Sequence, residues 1–340
     1  MVGAELTYIT LSQWLIIVYQ VFGGCCTNVF VLETLFKNNK SDYSLTTIIT
    51  FSQFLFVSIL SYFPNADFKQ SNLRSLYLKP TQIPIKNWLV LVAMFFTTSI
   101  LNNAVSKFNI TIPVHIIFRS SGTVVTVLVG RMFGKKRYNR DQIISVVIIS
   151  FGILIANLPL AISETSYHHF KVNYDFVIGL SILLSTSILG AFMGLYNELL
   201  FKKYGTYWQE SLFYTHFLAL PLFLFVSPIV IKEFNIIWYD KNYITPEIKI
   251  SQQFINLLLN VGSQYFCITG VNILASKTTA LTVTVVLVVR KFISLIMSVL
   301  WFGNELTISG LVGAMTVLSG ALYYSYATNK KNKEDNIKLE

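Results

Sequence analysis

Two stretches of this chain repeat the same polar residues at the same spacing, and both lead cations into apolar surroundings. Asn102-Asn103-Ala104-Val105-Ser106-Lys107 precedes an apolar run that holds Arg119, and Asn272-Ile273-Leu274-Ala275-Ser276-Lys277 precedes one that holds Arg290 and Lys291. Both runs close on Phe-Gly, at Phe133-Gly134 and Phe302-Gly303, so the pattern recurs at an offset of about 170 residues, as a duplicated unit would. Guanidinium and ammonium groups donate charge and hydrogen bonds to anions, phosphates above all. Near the centre of a membrane helix each costs roughly 2.5–3.5 kcal/mol unless it faces a polar cavity or a partner. Arg119, Arg290 and Lys291 therefore point to an anion pathway. Lys107 and Lys277, at the mouths of the runs, fit the same pathway or, alternatively, side chains that snorkel to the interface.

His115 lies one helical turn before Arg119 and shares its face, which makes a polar stripe unless a neighbouring helix satisfies the imidazole. Glu33 and Glu198 are the acids read as close to the apolar regions, either as counter-ions to the cations or as interfacial residues. No carboxylate cluster suits a metal or a general base, which argues against an enzyme. Cys25, Cys26 and Cys267 fall inside apolar stretches, where a thiol behaves as a small hydrophobe and says nothing about a disulfide. Gly23-Gly24, Gly179, Gly190 and Gly194 are read as sites of close helix packing.

The elements that must carry these residues follow from composition. Fifty-four per cent of residues are hydrophobic, 12% are charged and mean hydropathy is +0.59, against about 25% charged in an average soluble domain. The reading is an all-α integral membrane protein. Apolar stretches of span length number ten, at roughly 11–36, 46–63, 88–104, 111–130, 141–158, 176–197, 211–231, 252–274, 279–301 and 307–326. With both termini in the cytoplasm, the cytoplasmic segments hold 16 Lys and Arg and the opposite side 7, the sense of the positive-inside rule.

Two units of five spans each must then be inverted relative to one another, so ten transmembrane helices form a five-plus-five inverted repeat of the kind that transporters use. Residues 1–329 are read as one transmembrane domain, with pseudo-repeats at about 11–158 and 176–326. Residues 330–340 are read as a short, disordered cytoplasmic tail. Asn39-Lys40-Ser41 and Asn109-Ile110-Thr111 match the glycosylation pattern but hug the membrane and are expected to stay unmodified.

The stretches Gln264-Tyr265-Phe266-Cys267, Val271-Asn272-Ile273-Leu274-Ala275-Ser276-Lys277-Thr278 and Val289-Arg290-Lys291-Phe292-Ile293-Ser294 resemble the nucleotide-sugar transporters of the drug/metabolite transporter superfamily. Phe22-Gly23-Gly24-Cys25-Cys26, Ile112-Pro113-Val114-His115-Ile116, Phe118-Arg119 and Tyr196-Asn197-Glu198 extend the resemblance over nearly the whole chain. Within the family it is most similar to the fungal UDP-N-acetylglucosamine transporters. A family Phe-Tyr-Asn-Asn motif is matched by Phe213-Tyr214-Thr215-His216, ahead of Pro221, and a Gly-Ala-Leu-Asn-Lys motif by Leu287-Val288-Val289-Arg290-Lys291. Both asparagines of the GDP-mannose branch are missing.

The resemblance implies exchange of cytosolic UDP-N-acetylglucosamine for lumenal UMP across the Golgi or endoplasmic reticulum membrane. It implies no cofactor and no nucleic-acid partner, and it is compatible with a homodimer in the lipid bilayer. It places Tyr214 and His216 near the nucleoside and Lys291, with Arg290, near the phosphates or sugar. Arg119, His115, Asn197, Glu33, Lys277 and Asn272 complete the candidate binding set. The alternatives are another UDP-sugar such as UDP-xylose, or a drug or metabolite exporter of the same fold. Tags at residues 1 and 340 are expected to be digested by protease added to sealed microsomes whose cytoplasmic face is outward, and protection of either tag refutes the inverted arrangement.

Overall fold

A computed structural model describes residues 11–37, 45–67, 77–105, 108, 122–167, 174–239, 251–302 and 307–337. Arg119, His115, Lys107, Gly303 and both glycosylation patterns lie outside the described residues. Leu11–Val18 (α1) continues through a π-helical turn, Tyr19–Gly24, into Cys25–Lys37 (α2). Thr46–Asn65 (α3), Ile85–Val105 (α4), Gly122–Met132 (α5), Arg140–Tyr167 (α6) and Tyr174–Tyr204 (α7) follow. Trp208–Phe217 (α8) and Ser227–Trp238 (α9) flank a 3-10 turn at Leu220–Val226, where Pro221 lacks the N–H that would continue the α pattern. Gln252–Lys277 (α10), Ala280–Phe302 (α11) and Ile308–Ile337 (α12) complete the chain.

Helix is what long apolar runs must form in lipid, where every backbone polar group has to be satisfied within its own segment. Ser12–Lys37, Thr46–Asn65, Phe176–Tyr204, Trp208–Trp238, Gln252–Lys277 and Ile308–Lys331 are long and apolar enough to cross a membrane. Ile85–Ser99 and Gly122–Met132 are shorter apolar helices. Residues 330–337 are not a disordered tail but the end of α12. Lys331 donates to the Arg137 carbonyl (2.7 Å) and Lys330 stands 3.8 Å from Asp141, contacts that hold the polar turn in register.

The chain divides into two compact units that do not follow its sequence halves. The first comprises Met1–Val92 and Leu199–Thr278, the second Ala93–Glu198 and Thr279–Glu340.

In the first unit, the α1–α2 rod crosses α10 at backbone contact. A Cβ on Gly24 would lie 2.9 Å from the Cys267 backbone nitrogen, and one on Gly270 would lie 2.6 Å from Gln20 Cβ. That proximity brings Cys25 and Cys267 to 4.5 Å between Cα atoms, and they form a disulfide. The reading of these thiols as small apolar groups is thus corrected for this pair, while Cys26 is a buried cysteine outside the disulfide. The bridged residues are 242 positions apart, and only the tertiary approach pairs them. One turn on, Asn28 donates to the Asn260 carbonyl (2.9 Å), Asn260 returns a bond to the Asn28 carbonyl (3.3 Å), and Gln53 donates to Asn260 Oδ1 (2.7 Å). An apolar cluster of Leu35, Ile48, Ile49, Val230, Ile237, Leu257 and Val261 adjoins this polar seam.

In the second unit, α6 and α12 pack face to face over Val146, Ile149, Ile153, Val317 and Tyr324, with Leu281, Val285, Val288 and Phe292 of α11 in the same core. Contact is close because Gly313 opposes Gly152. A Cβ on Gly313 would meet Ala156 nitrogen and the Gly152 carbonyl oxygen, both at 2.6 Å. Among the glycines expected to allow close packing, Gly24 does so, whereas a Cβ at Gly190 would meet nothing within 4 Å. Gly313→Ala is therefore expected to lower the melting temperature of the detergent-purified protein, at a cost of about 1–3 kcal/mol. Gly262→Ala, where nothing lies within 4 Å, serves as the control. Equal melting temperatures for the two variants would refute the backbone contact.

Candidate functional site

The residues that could bind an anion stand on α11. Arg290 and Lys291 are the eleventh and twelfth of its 23 residues and are half-buried. The helix rises about 1.5 Å per residue, so they lie ~15 Å along its axis from the first turn. The sequence sets that depth by counting from the start of the helix, and the start itself is held twice. Thr279 Oγ1 accepts the Thr282 N–H (3.2 Å), an ordinary N-cap. Glu198 Oε2, from the end of α7, accepts the Ala280 N–H (2.8 Å).

Glu198 is 3% exposed, and a carboxylate so buried must be compensated. The same oxygen also accepts from the Lys136 ammonium. Between them the cation and the helix dipole, positive at its N-terminus, neutralise it. Beside the pair, Tyr138 is a neutral phenol at any physiological pH: burial, with the Glu198 carboxylate and Tyr324 nearby, pushes it up to about 12. Thr282 and Tyr324 share a hydrogen bond (3.1 Å) that ties the same turn of α11 to α12. Glu198 was expected as a counter-ion to the cations of the pathway or as an interfacial group. Lys136 and the Ala280 N–H at the start of α11 are among its partners. Its neighbour Asn197 is half-buried, and Asn197 Oδ1 is buried with no hydrogen-bond partner among the described residues.

The first unit holds Tyr214, His216, Asn272, Lys277 and Glu33. Tyr214 and His216 are 6% and 8% exposed, on the innermost stretch of α8. The His216 ring packs against Phe54 with centroids 4.7 Å apart. His216 Nδ1 lies 2.8 Å from the Leu212 carbonyl, which can only accept, so Nδ1 carries the proton and Nε2 is left as an acceptor. Asn272 donates to the Ile268 carbonyl of its own helix (2.9 Å).

Lys277 does not open the helix that follows it but ends α10, donating to Gln13 Oε1 (2.7 Å). Glu33 pairs with Lys37 of the same helix at 3.1 Å. The candidate set is thus shared out, with these five residues in the first unit and Asn197, Arg290 and Lys291 in the second. No group of three or more His, Cys, Asp or Glu side chains among the described residues is placed to hold a metal.

Two acids escaped the sequence reading, which took Glu33 and Glu198 as the acids near the apolar regions. Glu210 and Glu233 are 8% and 5% exposed. Glu233 Oε2 accepts the Ile48 N–H in the first turn of α3 (2.7 Å). Glu210 takes the N–H groups of Gln82 (2.9 Å) and Ile83 (3.2 Å), just ahead of α4. The signal available in the sequence was an acid at each edge of the apolar stretch 211–231 with no cation three or four residues away, which calls for a distant donor.

A model of the UAA transporter family matches residues 13–328. The UDP-N-acetylglucosamine transporter YEA4 of Saccharomyces cerevisiae is 37% identical over 329 residues, covering 93% of this chain and 95% of that one. Its Schizosaccharomyces pombe namesake is 41% identical over 314 residues, covering 91% and 94%. The endoplasmic reticulum GDP-fucose transporter of Drosophila melanogaster is 34% identical over 325 residues, covering 91% and 89%. One crystal structure aligns with a TM-score of 0.58 at 8% identity, over 90% of this chain and 97% of its own, a likeness of fold alone.

Proposed function

Since the chain belongs to the UAA transporter family of nucleotide-sugar transporters, we propose that it exchanges cytosolic UDP-N-acetylglucosamine for UMP across an endoplasmic reticulum or Golgi membrane. The observation that carries this reading is the Arg290-Lys291 pair in the middle of the apolar helix α11, in a chain 37–41% identical to two fungal UDP-N-acetylglucosamine transporters. A UDP-sugar carries about two negative charges on its diphosphate, which two adjacent cations complement. Lys291 and Arg290 take the phosphates. Tyr214 and His216 serve the nucleoside, with Nε2 of His216 able to accept from a donor. Asn197 Oδ1, a buried acceptor with no partner among the described residues, is free to receive an N–H or O–H of the ligand, and leaving it unmet costs about 1–3 kcal/mol.

The ten spans form an inverted five-plus-five repeat with both termini in the cytoplasm, and transport is alternating access between two states that ligand binding stabilises differently. Such an exchanger needs no nucleophile or metal. Diphosphate recognition does not by itself choose the sugar or base, and one relative at 34% identity is named for GDP-fucose. Substrate choice therefore has to be measured across both bases.

Proteoliposomes preloaded with UMP and offered UDP-N-acetylglucosamine, UDP-xylose, GDP-fucose and GDP-mannose are expected to take up UDP-N-acetylglucosamine fastest. A GDP-sugar taken up in preference overturns the reading. Lys291→Ala is expected to abolish exchange because it removes an ammonium that takes the phosphates, with melting temperature and amount in the membrane as the check that the variant folds and inserts. Lys291→Arg is expected to restore only part of the rate, a planar fork being a poor copy of a compact ammonium. Normal exchange by Lys291→Ala would show that the residue packs or snorkels instead.

A further inference from the structure

Nothing in the proposed exchange uses the first Phe-Gly, Phe133-Gly134, the buried Glu198 or Lys136, yet in the second unit these converge on the first turn of α11. Phe133 and Gly134 follow the last residue of α5, their N–H groups donating to the Val129 carbonyl at 2.9 and 3.3 Å. Position 134 has no room for a side chain, since a Cβ there would lie 2.8 Å from the Gly130 carbonyl oxygen. Lys135 follows in the left-handed region (φ 48°), rare for a residue other than glycine. The Lys136 N–H then returns to the Gly130 carbonyl (3.0 Å). This tight reversal leaves Lys135 and Arg137 exposed and turns Lys136 inward to Glu198.

The acid that receives Lys136 is bonded through the same oxygen to the Ala280 N–H. An ion pair alone would not require that bond, and at a helix N-terminus a carboxylate is favoured by both the free N–H groups and the dipole. A helix is stiff along its axis. Whatever fixes Ala280 therefore also fixes the axial position of Arg290 and Lys291, ten and eleven residues further on.

We propose that Glu198 is a positioning residue for ligand binding: presented with Lys136 by the Phe133-Gly134 turn, it clamps the start of α11 and so sets the depth at which Arg290 and Lys291 meet the phosphates. The proposal rests on the reading that α11 carries the phosphate-binding cations. Glu198 itself does not touch the ligand, and its effect is felt as affinity. A glutamine at 198 keeps an oxygen for the Ala280 N–H and loses the charge. An alanine loses both. A charge swap with residue 136 restores the ion pair but puts an ammonium, which cannot accept a hydrogen bond, against the positive end of α11.

The test compares Glu198→Gln, Glu198→Ala and the double variant K136E/E198K with wild type. The readouts are initial exchange rates in proteoliposomes across a concentration series, and melting temperature without ligand in detergent. The probe is whichever sugar of the UDP and GDP panel the wild type takes up fastest. A GDP-sugar winning that panel sinks the proposed substrate and leaves this comparison intact.

Glu198→Ala is expected to raise KM on the order of tenfold or more, with a smaller change in maximal rate, and Glu198→Gln about threefold. The swap is expected to resemble Glu198→Ala. A swap that returns KM to the wild-type value would show that only the ion pair matters and overturn the proposal. An unchanged KM in a folded Glu198→Ala or Glu198→Gln protein would overturn it too. Should Glu198→Ala fail to fold, Glu198→Gln and the swap decide.

Discussion

A buried carboxylate and a buried helix start share one difficulty, since neither can reach water for the hydrogen bonds it lacks, and in this protein each resolves the other. Glu198 meets the start of α11, Glu233 the first turn of α3, and Glu210 the two residues that lead towards α4. The first N–H groups of any helix have no partner within it, and the helix dipole places positive potential there. A glutamate delivered from another helix satisfies both conditions. Where a cation joins, as Lys136 does at Glu198, the buried charge is balanced as well. Two helix starts, those of α3 and α11, are thereby fixed by residues 185 and 82 positions away in sequence, and the approach to α4 by one 127 to 128 positions away.

Polar fastening of this kind matters because lipid supplies no hydrophobic drive between helices. The other fastenings seen here follow the same logic. In the first unit, Asn28 of α2, Gln53 of α3 and Asn260 of α10 close a small hydrogen-bond network among three apolar helices, one turn from the Cys25–Cys267 bridge. In the second, glycines remove the side chains between α6 and α12, so that dispersion contacts form at backbone distance. The π-helical turn at Tyr19–Gly24 lies within the span that carries the disulfide. Gln20 Oε1 from this turn and Thr269 Oγ1 from α10 are buried acceptors without hydrogen-bond partners among the described residues, a departure from the satisfied interior around them.

The candidate binding residues fall into two physical classes. Arg290 and Lys291 are half-buried at the middle of an apolar helix, a depth at which a cation requires polar surroundings. Glu33, Asn272 and Lys277 have partners within their own unit, respectively Lys37, the Ile268 carbonyl and Gln13. These contacts explain their polarity without a ligand. Tyr214 and His216 lie between the classes, deep in α8, with His216 Nδ1 used locally and Nε2 left as an acceptor.

Helical class, the apolar segments and the unusual cations were legible in the sequence, because hydropathy and charge are local properties that a run of residues carries wherever it packs. The family was legible for a related reason: its motifs are short contiguous strings, such as Val289-Arg290-Lys291, that survive without knowledge of their surroundings. What the sequence could not determine was pairing. Glu198 could be read as interfacial or as a counter-ion, Cys25 and Cys267 as small apolar groups, Gly190 as a packing site and Gly313 not at all. Each of these depends on which side chain from a distant segment arrives at a given turn. Tertiary structure decided those partners, because a hydrogen bond, a disulfide or a backbone contact exists only where two atoms are brought within a few ångströms, and no periodicity along one helix encodes the position of another.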